Sequence, residues 1–301
     1  MLKFKNLNKN SFALKKYYEQ SKTEFCDISV GVKFLWRDNF KVKYAVYRDT
    51  LILKETNKDY KNAFYYPMGS DEYGALEKIY EETLYRGKDL TLCYLSEECA
   101  KEFKQKFPNA EIYFDRDWSD YLYDAKEFSE LIGKKYSGQR NHINKFNKLY
   151  PNYEFRRIEK TDIGDIKTFL KAYGKGKPLS SWTERAEGKR LIEYLSCLEE
   201  LGNIGVIIKI DGKVVALSCG ERLKNTFIVH VEKALTEYSG IYPTLANLFI
   251  KMVTKEGITE INREEDCGDL GLRTSKMQYH PKEIRNKYIV KIKAKQTGDE
   301  K

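Results

Sequence analysis

Residues 204–232 read IGVIIKIDGKVVALSCGERLKNTFIVHVE, and this stretch decides the fold of the second half of the chain. Three apolar runs, Ile204–Ile210, Lys213–Gly220 and Thr226–Glu232, have the length of strands and follow one another closely. The pair Asp211-Gly212 between the first two runs is a strong signal for a two-residue hairpin. The stretch therefore predicts a three-stranded antiparallel meander.

Helices and strands alternate on both sides of this meander. Before it, the pattern predicts a strand at Tyr153–Ile158, a helix at Asp162–Tyr173 that ends in the glycine- and proline-containing segment 174–178, and a helix at about Glu184–Leu201. After it, the pattern predicts a helix at about Tyr242–Lys255, a strand at Ile258–Asn262, a helix at about Leu270–Gln278 and a strand at Tyr288–Ile292. This mixture of hairpins and crossovers resembles the element order of GNAT-type N-acyltransferases.

The first half repeats this order in reduced form. Its predicted elements are a helix at Ser11–Gln20, strands near Ile28–Leu35, Lys41–Tyr47 and Leu51–Lys54, a helix at Glu72–Tyr85, a strand at Leu90–Leu95, a helix at Glu97–Phe107 and a strand at Glu111–Phe114. We therefore expect an α/β protein with mixed sheets, built from two tandem GNAT-like domains. The expected parts are a first domain over 1–124, a basic helical linker over 125–150, a second domain over 151–295 and a frayed tail over 296–301.

Composition excludes several other classes. The 301 residues contain no apolar run near the ~20 residues of a membrane-spanning helix, and the N-terminus has no apolar signal core. The six scattered cysteines form no CxxC pair, and three histidines argue against a multi-histidine metal site. The P-loop, HExxH and GxSxG motifs are absent. We expect a cytoplasmic protein with free thiols, no metal and no cofactor, whose net charge of +9 suits an anionic partner.

The basic segment 133–146, GKKYSGQRNHINKF, is the first candidate site. It contains five basic or titratable side chains and no acid: Lys134, Lys135, Arg140, His142 and Lys145. Such a cluster would bind the phosphates of tRNA or lipid. Gly138 is expected to mark a break before a new helix that begins near Gln139, and the backbone N–H groups there would add to an anion site. The alternative is a solvated helix between the domains.

A second candidate site is the segment 261–276, INREEDCGDLGLRTSK, which follows a predicted strand. Ligands of open α/β sheets lie at the carboxyl ends of strands. Here Asp266 is a candidate general base, and Arg263 and Lys276 are candidates to orient the acyl donor or stabilise an oxyanion. Arg273 lies three residues before Lys276, so both are expected on one helix face, where Arg273 would bind a phosphate. The alternative is a loop with surface salt bridges.

The third candidate site is the segment 228–243, IVHVEKALTEYSGIYP. His230 and Glu232 lie two residues apart on a predicted strand and are therefore expected on one face, where the two would act together as a general base or the histidine would be structural. Glu232 is the alternative to Asp266 as the catalytic base. The turn with Tyr238 and Gly240 precedes a helix N-terminus, which favours anions. It lacks the second glycine of a CoA-binding loop, which favours a different acyl donor. Tyr279 is a candidate proton donor or a packed tyrosine.

Three long stretches carry a resemblance to a known family: residues 118–146, residues 230–249 and residues 260–279. They resemble a bacterial family of uncharacterised proteins related to the C-terminal domain of phosphatidylglycerol lysyltransferases. The resemblance covers nearly the whole chain and implies tandem GNAT-like domains, also similar to Fem-type peptidyltransferases. Characterised relatives move an aminoacyl group from aminoacyl-tRNA to a lipid hydroxyl or an amine.

The resemblance implies an aminoacyltransferase that uses tRNA as the donor. Lipid-modifying lysyltransferases carry a membrane-embedded domain that this sequence lacks, so the acceptor is expected to be soluble or to be reached by peripheral contact with an anionic membrane face. Two alternatives stay open, an acyl-CoA-dependent N-acyltransferase and a non-catalytic binding protein of the same fold.

Overall fold

The computed structural model describes residues 1–57, 59–175 and 190–294, and the chain divides into two compact units. The first unit contains Met1–Asp120 together with Arg285–Lys301, and the second contains Tyr121–Ile284. Each unit has a mixed β-sheet with helices, which confirms the predicted α/β class. Strands and helices are numbered below in chain order through both units.

The sheet of the first unit has eight strands. They are β1 (Lys5–Asn6), β2 (Lys43–Tyr47), β3 (Thr50–Glu55), β4 (Ala63–Tyr65), β5 (Met68–Gly69), β6 (Leu90–Leu95), β7 (Glu111–Phe114) and the last strand of the chain, β15 (Tyr288–Ile292). The order is β1-β2-β3-β4-β6-β15-β7, with β5 paired to β3. The neighbours β4 and β6 run parallel, which leaves a crossover between them for a helix.

The helices of the first unit are α1 (Lys15–Tyr18), α2 (Val30–Leu35), α3 (Glu72–Glu82) and α4 (Glu97–Lys106), with 3-10 turns at Lys9–Leu14, Leu84–Arg86 and Arg116–Trp118. The crossover helix α3 is capped by Asp71, the residue before its first turn, whose side chain accepts a hydrogen bond from the Gly74 N–H. Its buried residues Leu76, Ile79 and Tyr80 join the core formed with the sheet, because they recur at helical spacing.

The second unit contains a seven-stranded sheet. Its strands are β8 (Asp120–Asp124), β9 (Glu154–Arg157), β10 (Ile204–Ile210), β11 (Lys213–Leu223), β12 (Thr226–Ala234), β13 (Glu260–Asn262) and β14 (Glu283–Arg285), in the order β14-β8-β13-β12-β11-β10-β9. The predicted meander is confirmed as β10–β11–β12. Asp211 and Gly212 have φ values of 50° and 74°, the left-handed pair that a tight hairpin turn requires. β12 and β13 run parallel.

The helices of the second unit are α5 (Ala125–Glu130), α6 (Ser137–Leu149), α7 (Ile163–Gly174), α8 (190–195), α9 (Leu198–Leu201), α10 (Ile241–Thr254) and α11 (Leu270–Met277), with 3-10 turns at Lys134–Tyr136 and Lys160–Asp162. α10 is the central helix and packs against α5, α6 and the sheet. Its buried residues Leu245 and Phe249 share a core with Phe128 of α5, Phe146 of α6 and Phe227 of β12. This core fixes the helices that surround the site.

Three sequence-based expectations differ from the structure. The strand predicted at Ile28–Leu35 is wrong, because Ser29 accepts a hydrogen bond from the Val32 N–H and caps α2. All residues of α2 are buried, so the sequence has no polar–apolar alternation that would distinguish a helix from a strand. A new helix does begin near Gln139, but the break precedes Gly138, which lies in the first turn of α6 because this helix begins at Ser137. The helix predicted at Glu184–Leu201 lies partly outside the described residues, and its described part is α8 and α9.

The expected domain boundaries also differ from the observed units. The segment 125–150, expected to be a linker, belongs to the second unit, because Phe128 and Phe146 are fully buried in its core. The strand predicted at Tyr288–Ile292 forms as β15, but in the sheet of the first unit, where it pairs with β6 and β7. Local sequence pattern predicts a strand but carries no information on its partner strands.

Candidate functional site

A cavity of about 290 Å³ lies in the second unit, next to the carboxyl ends of the parallel strands β12 and β13. The two strands pair only from Thr226/Glu260 to Ile228/Asn262, and β12 then continues without β13 as a partner. Glu232 lies on this free part of β12, and Arg263 directly follows β13. Both line the cavity, together with residues from α6, α11 and the first turn of α10. The site therefore forms where two parallel strands cease to pair.

A β-bulge precedes Glu232. In the pairing of β11 with β12, Cys219 is opposite Val231 and Gly220 is opposite Val229, so that His230 is left over. A Cβ atom at Gly220 would lie 2.1 Å from the Ile228 carbonyl oxygen, so only glycine allows this approach. The bulge interrupts the period-two alternation on which the sequence analysis relied.

Arg263 and Glu232 form a largely buried ion pair in the cavity. Arg263 Nη2 and Nε donate to Glu232 Oε2 over 2.7 and 3.1 Å. The guanidinium lies 5.0 Å from the ring centre of Tyr279 and 5.6 Å from that of Phe128, and these two rings stack at 4.7 Å. Burial lowers the pKa of Arg263, but the Glu232 carboxylate outweighs this effect and the pKa is raised. The arginine is therefore charged and held in one orientation.

Each partner of this ion pair retains one buried polar atom without a hydrogen bond. Arg263 Nη1 and Glu232 Oε1 are inaccessible to solvent and find no partner among the described residues. An unsatisfied buried polar atom costs about 1–3 kcal/mol. Such a cost persists at functional sites, where a ligand supplies the missing partner. A ligand can satisfy both atoms if the surrounding side chains move to expose them and if it brings an acceptor for Nη1 and a donor for Oε1.

Lys276 holds the segment that carries Arg263. Its buried Nζ donates to the backbone carbonyl oxygens of Arg263 and Glu265, the latter over 2.6 Å. Burial and the nearby Arg263 lower the pKa of Lys276. Lys276 does not line the cavity, so the predicted contact of its ammonium with an oxyanion is not observed. Two of its three donors are taken by backbone carbonyls, so in this structure the ammonium holds the segment after β13 in place.

Asp266, the predicted general base, does not face the cavity. Its carboxylate is fully buried and accepts hydrogen bonds from Arg273 (2.8 and 2.9 Å), from the Tyr121 hydroxyl (2.5 Å) and from the Gly268 N–H (2.9 Å). Burial raises the pKa of Asp266, but these donors outweigh it and the pKa is lowered. Asp266 does not line the cavity, and Arg273 is engaged with it. In this structure the Asp266 carboxylate and the Arg273 guanidinium bind each other, so the predicted base and phosphate ligand form an ion pair that does not line the cavity.

His230 and Glu232 do not form the predicted pair. His230 Nδ1 lies 2.7 Å from Glu264 Oε1, and Nε2 lies 3.8 Å from Glu221 Oε1. Burial lowers the pKa of His230 more than the carboxylates of Glu221 and Glu265 raise it. In the tautomer that suits this contact, Nδ1 donates to Glu264, because a carboxylate only accepts. Glu264 has a left-handed φ of 57°, a strained conformation that this hydrogen bond helps to hold. His230 thus supports the segment after β13 and does not line the cavity.

The turn before α10 fulfils a packing requirement. Gly240 has a φ of 87°, and a Cβ atom there would lie 2.2 Å from the His142 carbonyl oxygen. Glycine therefore permits the contact between α6 and the start of α10. Gly240 and Tyr238 both line the cavity, as does Tyr279, whose pKa burial raises to about 12. A tyrosine with this pKa stays protonated at neutral pH and can donate a hydrogen bond.

The basic segment divides into engaged and exposed groups. Arg140 Nη1 donates to the Leu131 and Gly133 carbonyls, and Lys135 pairs with Glu127 at 2.8 Å. Three exposed side chains, those of Lys134, His142 and Lys145, form no ion pair with any described residue. His142 lines the cavity, and Lys145 lies one helical turn further along α6. His142 and Lys145 therefore lie on the side of α6 next to the cavity, and Lys134 is exposed on the 3-10 turn before this helix.

Several lining residues were missed by the sequence analysis. They are Gln139, Thr236, Ile241, Tyr242, Pro243, Ser275 and Gln278. A signal was present for the last two, because positions 275, 278 and 279 have the spacing of one helix face. Glu232 is the single carboxylate among the described lining residues, and it already pairs with an arginine. This donor set does not suit a divalent cation.

Two sequence comparisons identify proteins that this chain resembles. The sequence model of the family described as "Phosphatidylglycerol lysyltransferase, C-terminal" matches residues 19–291. The uncharacterised protein MYCGA3080 of Mycoplasmoides gallisepticum is 23% identical over 180 residues, which span 58% of this chain and 56% of that protein. The match thus spans little more than half of that relative.

Two solved structures are similar over almost their full length. A conserved protein of unknown function from Bacteroides thetaiotaomicron has a TM-score of 0.88 and 29% identity, over 97% of this chain and 100% of that chain. L-PGS from Bacillus licheniformis has a TM-score of 0.65 and 16% identity, over 95% and 92% of the two chains. The fold is therefore that of two tandem GNAT-like units.

None of the helices in the described part of the chain combines the length and apolarity that membrane crossing requires.

Proposed function

We propose that this chain, which belongs to the phosphatidylglycerol lysyltransferase C-terminal family, is an acyltransferase that moves an aminoacyl group from aminoacyl-tRNA to an amine or a hydroxyl. The observation that carries the proposal is the buried Arg263–Glu232 pair in the cavity, with one unsatisfied donor and one unsatisfied acceptor. Acyl transfer needs both groups, a donor for the carbonyl oxygen and an acceptor for the proton of the nucleophile.

In the proposed reaction, Arg263 Nη1 donates to the carbonyl oxygen of the aminoacyl ester. The nucleophile attacks the carbonyl carbon, and negative charge develops on the oxygen that faces the guanidinium. Glu232 Oε1 accepts the proton of the attacking amine or hydroxyl and returns it to the ribose oxygen of tRNA as the ester bond breaks. The activated ester supplies the driving force, so the reaction needs no further cofactor.

The surface beside the cavity suits a tRNA donor. Lys134, His142 and Lys145 are exposed, and His142 connects this surface to the cavity. Exposed lysines bind phosphates as point charges, and the acceptor end of tRNA must bring phosphates close to the aminoacyl group. The turn at Gly240 lacks a second glycine, which speaks against the pyrophosphate of CoA as the group bound there.

The test is transfer of radiolabel from a mixed pool of charged aminoacyl-tRNA to lipids and small amines of a cell extract, at low and fixed salt. We expect labelled product that disappears when the pool is treated with ribonuclease before the reaction. Consumption of acyl-CoA without use of tRNA would replace the proposal by a CoA-dependent N-acyltransferase. Absence of transfer from either donor would favour a binding protein of the same fold.

A further inference from the structure

The charges of the cavity select among the amino acids that a donor can carry. Among the described lining residues, Glu232 is the single carboxylate, and Arg263 opposes it directly at 2.7 Å. The remaining lining side chains are neutral apart from the exposed His142, and five of them are apolar or aromatic: Tyr238, Ile241, Tyr242, Pro243 and Tyr279. The cavity therefore offers one acid, and that acid already has a cationic partner.

From this composition we propose that the transferred aminoacyl group has an uncharged side chain, in contrast to the lysyl group in the family's description. The inference rests on the proposed function. Glu232 serves the reacting groups, which leaves no described carboxylate of the cavity wall for a side-chain ammonium.

A lysyl side chain would meet two physical costs. Its ammonium would lose part of its water against a wall that includes five apolar or aromatic side chains, and no acid other than Glu232 among the described lining residues would compensate. It would also lie in the same cavity as the Arg263 guanidinium, whose raised pKa keeps it charged. Like charges at close range repel, and a charge that loses part of its water without gaining a counter-ion is unfavourable. All donors share the α-amino group, so the discrimination depends on the side chain alone.

An apolar or aromatic side chain meets neither cost. It gains contact with the aromatic wall, and the volume of about 290 Å³ bounds the size of the group that can enter. A site of this kind distinguishes poorly between apolar side chains that differ by one methylene, because that difference is worth about 1–3 kcal/mol. We therefore expect a class preference and not selection of a single amino acid.

The test compares donors that differ only in the amino acid. Purified tRNAs are charged with leucine, phenylalanine, alanine, lysine or arginine, and kcat/KM for transfer is measured for each. We expect kcat/KM for tRNAs that carry an amino acid with an uncharged side chain to exceed that for lysyl-tRNA and arginyl-tRNA by about tenfold or more. A preference of the wild-type protein for a cationic donor would overturn the inference and would leave the proposed function intact.

A substitution on the cavity wall provides the reciprocal test. Gln278 lines the cavity from an exposed position just after α11, and Gln278→Glu adds a carboxylate of nearly the same shape. We expect this variant to gain lysyl transfer relative to leucyl transfer by about tenfold, whereas Gln278→Met, which adds no charge, gives no gain of lysyl transfer. No gain of lysyl transfer in Gln278→Glu would contradict the role assigned to the missing acid.

A binding measurement separates this inference from the proposed function. Leucinamide, phenylalaninamide and lysinamide share the α-amino group and can be titrated by calorimetry without tRNA. We expect the two amides with an uncharged side chain to bind at least tenfold more tightly than lysinamide, even if no transfer is found. Equal or tighter binding of lysinamide would overturn the inference whatever the result of the transfer assay.

Discussion

Replacement of Gly240 by alanine tests the packing that forms one wall of the cavity. Gly240 has a φ of 87°, and alanine in the left-handed region costs about 1–2 kcal/mol. The added Cβ would lie 2.2 Å from the His142 carbonyl oxygen and 3.1 Å from Phe146 Cβ, so α6 and α10 must move apart. Overpacking of this kind costs about 1–3 kcal/mol. We therefore expect Gly240→Ala to lower the free energy of unfolding by about 2–5 kcal/mol.

The matched control is Gly138→Ala, because Gly138 lies in α6 with open space where a Cβ would be built. Alanine is favoured over glycine inside a helix by about 0.5–1 kcal/mol, so this variant should be more stable than the wild-type protein. Equilibrium unfolding in urea, followed by far-ultraviolet circular dichroism, measures both. Equal effects of the two substitutions, or a loss below about 0.5 kcal/mol for Gly240→Ala, would refute the reasoning.

Three further predictions follow from the same contacts. Asp266→Asn should lower the free energy of unfolding at pH 7 by about 2–3 kcal/mol. Because the pKa of Asp266 is lowered in the folded protein, its contribution to the free energy of unfolding is present above the unfolded pKa of about 4 and is lost as the pH falls through the folded pKa. The stability of the variant, measured from pH 2 to 7, should therefore depend less on pH. Lys276→Met leaves two backbone carbonyls without their donor, so kcat for transfer should fall about tenfold with little change in tRNA affinity, and an unchanged kcat would exclude a positioning role. Lys134→Ala and Lys145→Ala should each reduce the slope of log Kd for tRNA against log salt by about 0.7–0.9, and Lys135→Ala, whose ammonium is already paired, by clearly less.

The hairpin and the helices were predictable because their signals are local. Asp211-Gly212 demands left-handed φ values, and the helix predicted at Tyr242–Lys255 forms as α10 (Ile241–Thr254) with its apolar residues at helical spacing. The membership of the last strand in the first unit's sheet was not predictable, since its pairing with β6 depends on residues almost 200 positions away. The strand expected at Ile28–Leu35 failed because a short, buried apolar run has no periodicity to read.

The candidate site was predictable as a region, and less so residue by residue. Sequence reasoning selected the carboxyl end of β13 and the end of β12, and the structure brings Arg263 and Glu232 together there. It assigned chemistry to Asp266 and Lys276 as well, because charge density is visible in a sequence while the partners that neutralise it are not. The bulge at His230 was likewise invisible, because a single inserted residue leaves no compositional trace.

The central claim is that Glu232 and Arg263 form the reaction centre, and the most direct test removes the acceptor atom while keeping the shape. Glu232→Gln should reduce the rate constant for single-turnover transfer from labelled aminoacyl-tRNA by at least a hundredfold, because a neutral amide cannot take the proton of the nucleophile. The matched control is Glu237→Gln, an exposed glutamate five residues later that does not line the cavity. The account predicts transfer lost in Glu232→Gln and unchanged in Glu237→Gln. Transfer by Glu232→Gln at the rate of the wild-type protein would contradict it.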